Sequence, residues 1–225
     1  PRPPATAQGG FYVLHAYATK INLKKDATIA VQGFGNAGSI FAELASAAGY
    51  KVVAISDSSS ATYNEAGLGI AAAARYKSEH GNFLEFSGGE DISNAELLKL
   101  DVDVLVPAAL ENQITIDNVR DIKARTILEL ANGPVHSEAD PILFQKKIHV
   151  IPDVLANSGG VIVSYFEWVQ NLKNEHWTEE RVNHDMKQLI VEAFDAIYAI
   201  AQKKQIDLRT AAFVLALERI AEAMR

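Results

Sequence analysis

The stretch "TIAVQGFGNAGSIFAELASAAG", residues 28–49, decides how the whole chain is read. It opens as a β-branched apolar run, turns on glycines, and continues as an alanine-rich segment that stops at Gly49. Gly33, Gly35 and Gly38 fit the spacing G-x-G-x-x-G. That spacing is weak in isolation and informative where a strand leads in and a helix leads out. The three glycines serve different ends. Gly33 permits the tight turn, Gly35 lets the backbone approach a pyrophosphate, and Gly38 lets the helix pack close to the strand. The N–H groups of residues 36–38, together with the helix dipole, favour an anion. A tight turn that binds nothing is the plain alternative. Against it stands Asp57, which follows the next apolar run, "KVVAIS" (51–56), 19 residues after Gly38. A carboxylate there can accept hydrogen bonds from the hydroxyls of an adenosine ribose.

Asp57 would repel a 2′-phosphate, and "SDSSSATYNEAG" (56–67) contains no Arg or Lys to receive one, so NAD is favoured over NADP. Ser58, Ser59 and Ser60 are the counter-signal: they can bond a phosphate, or simply form a solvated turn. Outward from the turn, "DVLVPAA" (103–109), "RTILEL" (125–130) and "IHVIPD" (148–153) are further short apolar runs that end in polar or glycine residues. Helical segments separate them, among them residues 68–80, which end at Gly81. This alternation predicts an α/β fold with a doubly wound, Rossmann-type, mostly parallel sheet. "FSGGEDIS" (86–93) reads as a surface loop or an edge element.

Residues 10–20 carry Phe11, Leu14, Tyr17 and Ala18 at helical spacing. Beyond residue 157 the pattern is helical throughout. "VIVSYFEWVQNL" (161–172) is apolar on nearly every side and is expected to be buried. Thr178 reads as an N-cap, followed by a stripe of Val182, Met186, Leu189, Ala193, Ile197 and Ile200. Asp207 reads as a second cap, with Phe213, Leu217, Ile220 and Met224 as the stripe of the last helix. Both stripes are expected to pack against the sheet or a neighbouring domain. The chain is thus read as one dinucleotide-binding domain over 1–225, with a core at about 20–156 and a helical segment at 157–225.

Composition narrows the classes. Apolar residues make up 48% and charged residues 22%, enough for an ordinary globular core. The net charge of −7 and the lack of a Lys/Arg cluster argue against a nucleic-acid partner. No apolar run approaches the roughly 18 residues of a membrane span. The absence of cysteine excludes thiolate chemistry and fits a reducing, cytoplasmic setting. The histidines show no metal-ligand spacing, so no metal is expected, and neither G-x-S-x-G nor G-K-[ST] occurs.

"PATAQGGFYV" (4–13), "GFGNAG" (33–38), "VPAALENQIT" (106–115), "ELANGPVHSEAD" (129–140) and "IPDVLANSGGVIVSYFEWVQN" (151–171) together resemble the coenzyme domain of glutamate dehydrogenase. That enzyme is one of the amino-acid dehydrogenases acting on Glu, Leu, Phe or Val. The resemblance covers essentially the whole chain in order, and the "NSGGVIVSYFEW" block favours glutamate over the branched-chain enzymes. It implies NAD(P)-dependent oxidative deamination of L-glutamate to 2-oxoglutarate and ammonia, and a homo-oligomeric full-length enzyme.

It also implies roles for individual residues. Thr6 would bond the nicotinamide carboxamide, though it could equally cap the first helix. Phe34, Asn36 and Ala37 belong to the pyrophosphate turn, and Asn36 could cap the helix it opens. Ala108 and Ala109 would let the adenosine-side ribose lie against a strand end. Asn132 would stand near the nicotinamide ribose, and Asn157 near the nicotinamide and the substrate amino group. Ser164 would bind the side-chain carboxylate of glutamate. Asn157, Val161 and Ser164 are spaced i, i+4, i+7 and so share one helical face. For Ser164 the bland reading is a hydroxyl bonded back to a carbonyl one turn earlier.

The family's catalytic lysines and aspartate lie in an N-terminal substrate domain that has no counterpart here, so no catalytic residue is expected in this chain. Lys24, Lys25 and Asp26 read as solvated charge. The opening "PRPPATAQGG" suggests a processed end or a piece of a longer protein, which binds cofactor without turnover. A stand-alone nucleotide-binding or regulatory module, and the coenzyme domain of a leucine- or valine-type dehydrogenase, are the alternatives.

Overall fold

The structure, a computed structural model, describes residues 2–225. Helix α1 (Arg2–Ile21) precedes strand β1 (Thr28–Gln32), which runs through the glycine turn into α2 (Asn36–Ala47). Strands β2 (Lys51–Ser56) and β3 (Ala61–Tyr63), helix α3 (Ile70–His80), strand β4 (Glu90–Ile92) and helix α4 (Asn94–Leu98) complete the first half. The second half holds β5 (Val104–Pro107), β6 (Thr126–Leu128), α5 (Asp140–Gln145) and β7 (His149–Ile151). Helices α6 (Asp153–Ala156), α7 (Gly159–Lys173), α8 (Glu179–Lys204) and α9 (Leu208–Ala223) follow.

The strands form one seven-stranded sheet in the order β4-β3-β2-β1-β5-β6-β7. From β2 to β7 every neighbouring pair is parallel, while β3 and β4 are antiparallel additions at the β2 edge. The fold is therefore the doubly wound, mostly parallel α/β sheet that the alternating pattern predicts. Segment 86–93 is an edge element, because β4 lies within it. Strand β3 occupies Ala61–Tyr63, inside a stretch that reads from sequence as a serine-rich loop; three residues are too short for an alternation pattern to register.

Burial on both faces explains the apolar strands. Ile29 and Val31 face a core shared with α1, α2 and α8, and Ala30 faces a second core with Leu105, Ile127 and the residues of α4 and α5. In the first core Tyr17 of α1 meets Phe194 of α8 edge to face at 6.3 Å. Removing a ring so enclosed typically costs about 3–5 kcal/mol. Helices beyond residue 157 thus share the core of the sheet.

Several expectations are corrected. Helix α1 starts at Arg2, so Thr6 sits inside it and is no N-cap. The all-apolar face of α7 is half open: Val163 and Phe166 are buried, whereas Val161, Tyr165, Trp168 and Leu172 are exposed. The stripe of α8 holds at Val182, Met186 and Ile197, which are buried, and is shifted elsewhere, with Ile190, Phe194 and Ala201 inside and Leu189 exposed. In α9 the small residues Ala211 and Ala212 pack inward with Leu208, and Phe213, Leu217, Ile220 and Met224 face outward. The face carrying Leu208, Ala211 and Ala212 is the one turned to α8 and β7, which leaves the larger side chains on the opposite face. The two caps are present: Thr178 Oγ1 accepts from Arg181 N at 3.3 Å, and Asp207 Oδ1 from Thr210 N at 2.8 Å.

Candidate functional site

Crevices outside the carboxyl ends of parallel strands, where connections leave in opposite directions, are where such sheets bind ligands. Here that point lies between β1 and β5, where Gly33 meets Ala108 and Ala109. Gly33 has φ +95°, a left-handed conformation open to glycine, and a Cβ there would come within 2.8 Å of Ala109 Cβ. Its N–H donates to the Ser56 carbonyl at 3.1 Å, tying the turn to β2. A Cβ on Gly38 would land on the carbonyl oxygen of Gly33, so helix and turn pack as closely as backbone allows. Gly35 is different. A Cβ there would meet nothing within 4 Å.

Gly35 is the N-cap of α2 and offers no side-chain acceptor to the first turn. The first intrahelical donor is Ser39, bonded to the Gly35 carbonyl at 2.9 Å, which leaves the N–H groups of Asn36, Ala37 and Gly38 at the helix start for an external acceptor. Asn36 does not cap the helix it opens. Its side chain is exposed, Ala37 is half-buried, and Phe34 is buried edge to face against Phe83 at 5.3 Å.

One end of the crevice belongs to Asp57. Its Oδ1 accepts from Ser59 N (2.8 Å), Ser59 Oγ (2.9 Å), Ser60 N (2.9 Å) and Ser60 Oγ (3.2 Å). Its Oδ2 lies 3.2 Å from Lys77 Nζ of α3, an ion pair without hydrogen-bond alignment, and has no hydrogen-bond partner. Burial pushes the carboxyl up, but the hydrogen bonds from Ser59 and Ser60 and the lysine outweigh it and hold the pKa below the ordinary value. Lys77 also stands 5.1 Å over the ring of Phe83. The sequence offered no cation in the segment after β2; α3 supplies one from 20 residues away. Ser58 is exposed at the tip of the loop.

The other end is a cavity of about 570 Å³ lined by Thr6, Ala109, Glu111, Asn132, Asn157 and Val161, among others. It exists because α1 and α7 cross on glycine: a Cβ on Gly159 would strike the carbonyl of Ala5, and one on Gly160 would lie 2.7 Å from Thr6 Oγ1. Asn157 donates to Asn132 Oδ1 at 2.8 Å, joining two of the expected site residues directly. Asn157 caps α6 and precedes α7, so it does not share a helix with Val161 and Ser164 as its spacing suggested. Ser164 is exposed, does not line the cavity, and donates to the Gly160 carbonyl at 3.0 Å, the bond one turn back. Sequence reasoning missed Lys77, Glu111 and a buried carboxylate at the end of β6, Glu129. An acidic residue closing an apolar strand, as in "TILEL", was the available signal for the last.

Comparison with known proteins gives a consistent picture. A family model described as Glutamate/Leucine/Phenylalanine/Valine dehydrogenase matches residues 1–225. The NADP-specific glutamate dehydrogenase of Synechocystis sp. is 48% identical over 233 residues, covering 99% of this chain and 54% of that protein. The NAD-specific glutamate dehydrogenase of Staphylococcus aureus is 44% identical over 225 residues, covering 100% of this chain and 54% of the relative. The solved hetero-hexameric glutamate dehydrogenase from Thermus thermophilus, in a Leu-bound form, superposes with a TM-score of 0.91 at 33% identity, covering 99% of this chain and 53% of that one. The chain therefore spans about half the length of the curated relatives it matches.

Proposed function

Because the chain belongs to the Glutamate/Leucine/Phenylalanine/Valine dehydrogenase family, we propose that it is the coenzyme-binding part of an NAD(P)-dependent glutamate dehydrogenase. The observation that carries this reading is the open space above Gly35 at the start of a 12-residue helix. A pyrophosphate fits there: the N–H groups of residues 36–38 donate to it, and no Cβ holds it off. The adenosine ribose then lies at the loop that Asp57 holds through Ser59 and Ser60, and its hydroxyls meet the carboxylate once the buried Oδ2 turns from Lys77. The nicotinamide reaches the cavity of Thr6, Asn132 and Asn157, where the Thr6 hydroxyl and the two amides orient its carboxamide and ribose.

When bound, the cofactor supplies the hydride acceptor for oxidation of L-glutamate to 2-oxoglutarate and ammonia. The chain's own residues bind and orient it, and Asn157 and Val161 form part of the substrate wall. Ser164 adds a hydroxyl toward the glutamate side chain once that site is complete. Among the described residues no lysine lines the cavity. The α-carboxylate anchor and proton shuttle therefore come from elsewhere in the full-length, homo-oligomeric, cytoplasmic enzyme, and this chain alone binds without turning over. NAD is preferred because Asp57 repels a 2′-phosphate. Lys77 beside it moderates that repulsion, so NADP remains accessible.

Calorimetric titration of the chain with NADH and with NADPH tests this. NADH binding more tightly supports the assignment of Asp57. Tighter NADPH binding would overturn that assignment, and binding of neither would overturn the coenzyme site itself.

A further inference from the structure

Next to the segment that carries Asn132, one cation holds three carboxylates. Arg209 of α9 donates from Nη2 to Glu129 Oε1 at 2.7 Å and from Nε to Asp140 Oδ2 at 2.7 Å, and its Nη1 lies 3.4 Å from Asp153 Oδ1. Glu129 directly follows β6 and is fully buried. Its second oxygen accepts from Asp153 N at 2.8 Å, and Asp153 Oδ2 accepts from Gly133 N at 2.9 Å. Glu129, Asp153 and Gly133 thus close a ring. From that ring hang the loop carrying Asn132 and the short helix that ends at Asn157. The amide of Asn157 completes it by donating to Asn132 Oδ1 at 2.8 Å and reaching the Ala131 carbonyl at 3.4 Å.

We propose that Arg209 is a positioning residue for the nicotinamide end of the crevice, setting the Asn132–Asn157 pair through Glu129 and Asp153. The inference rests on the coenzyme reading above. A buried ion cluster is by itself weak support for stability, since apolar replacement is often neutral. Its geometry is what matters here. The planar guanidinium presents donors in a fixed fork, so three carboxylates, from the residue after β6 and from α5 and α6, are held at set angles. Without it, three carboxylates converge with no counter-charge. Asp153 turns away, Gly133 N loses its acceptor, and Asn132 loses its register with Asn157. Lysine restores the charge but not the fork.

The discriminating measurement compares NADH with ADP, which has the adenosine and pyrophosphate but neither the nicotinamide nor its ribose. Titrations on wild type, Arg209→Met and Arg209→Lys read the ratio of the two affinities. Thr178→Ala, which removes a helix cap away from the crevice, controls for general loosening. The expected result is a roughly tenfold loss of the NADH advantage in both Arg209 variants, the worth of one to two hydrogen bonds, with ADP affinity and the Thr178→Ala ratio unchanged. Arg209→Lys keeps a cation among the carboxylates and carries the test if Arg209→Met does not fold. An unchanged ratio in folded Arg209→Lys overturns the inference. Wild type binding neither ligand overturns the coenzyme reading instead. Wild type binding both equally removes the nicotinamide end as a site, and the inference with it.

Discussion

Replacing Gly35 by alanine separates what the glycine turn does for the fold from what it does for a ligand. The backbone at Gly35 is extended, φ −84° and ψ −163°, a region any residue adopts, and an added Cβ has no atom within 4 Å. Alanine is a poorer N-cap than glycine by up to about 1 kcal/mol. Against this, Gly→Ala at a compatible position stabilises by about 0.4–1 kcal/mol through the unfolded chain. The two nearly cancel, so the melting temperature should move by less than about 4 °C. The methyl group would occupy the space a pyrophosphate needs. Losing one to two charge-assisted hydrogen bonds, each worth about 1.5–3 kcal/mol, should weaken NADH binding by roughly 100-fold. Calorimetry for affinity and thermal denaturation for stability read the two effects separately. If Gly35→Ala binds NADH within threefold of wild type, the pyrophosphate does not lie over this residue and the assignment of the turn is wrong.

Gly38→Ala should do the reverse: its Cβ falls on the Gly33 carbonyl, costing about 1–3 kcal/mol by overpacking, and an unchanged urea midpoint would contradict it. Asp57→Asn should cost about 1–3 kcal/mol at pH 7 by loosening the hydrogen bonds around a buried carboxylate. Because the folded pKa is depressed, that stability is fully present above the unfolded value of 3.8 and is lost as pH falls through the lower folded value. The gap between wild type and variant should therefore close in acid, and a constant gap in denaturation midpoints from pH 7 to pH 2 would refute the cause. Ser164→Ala should leave stability within about 0.5 kcal/mol, since the residue is exposed. In the full-length enzyme the same change should raise the KM for glutamate, and unchanged glutamate kinetics would remove Ser164 from the substrate site.

Legibility followed the range of the interactions involved. The strand-turn-helix at 28–49, the parallel strands and the caps at Thr178 and Asp207 are local, and each leaves a short-range pattern of apolar periodicity, glycine or capping residue. The Asp57 end of the crevice was only half visible. Asp57 stood out by position, but Lys77 reaches it from the next helix, and no local pattern marks that approach. Helix faces were misjudged where neighbours decide: the apolar residues of α7 outnumber the positions its neighbours can cover, and α9 turns Leu208, Ala211 and Ala212 to α8 and β7 rather than its row of larger side chains. The Arg209 cluster was invisible for the same reason, since its partners are brought together by the fold alone.

That cluster also sets an order of events during synthesis. Glu129 is made 80 residues before Arg209, its counter-charge. At about 5–20 residues per second, the ribosome takes roughly 4–16 s to supply it. During that interval the end of β6 can enter the core only with its carboxyl protonated, or must stay hydrated outside it. Closure of the Asn132 loop through Glu129 therefore waits for α9, whereas the glycine turn, whose partners are Ser56, Ala108 and Ala109, does not.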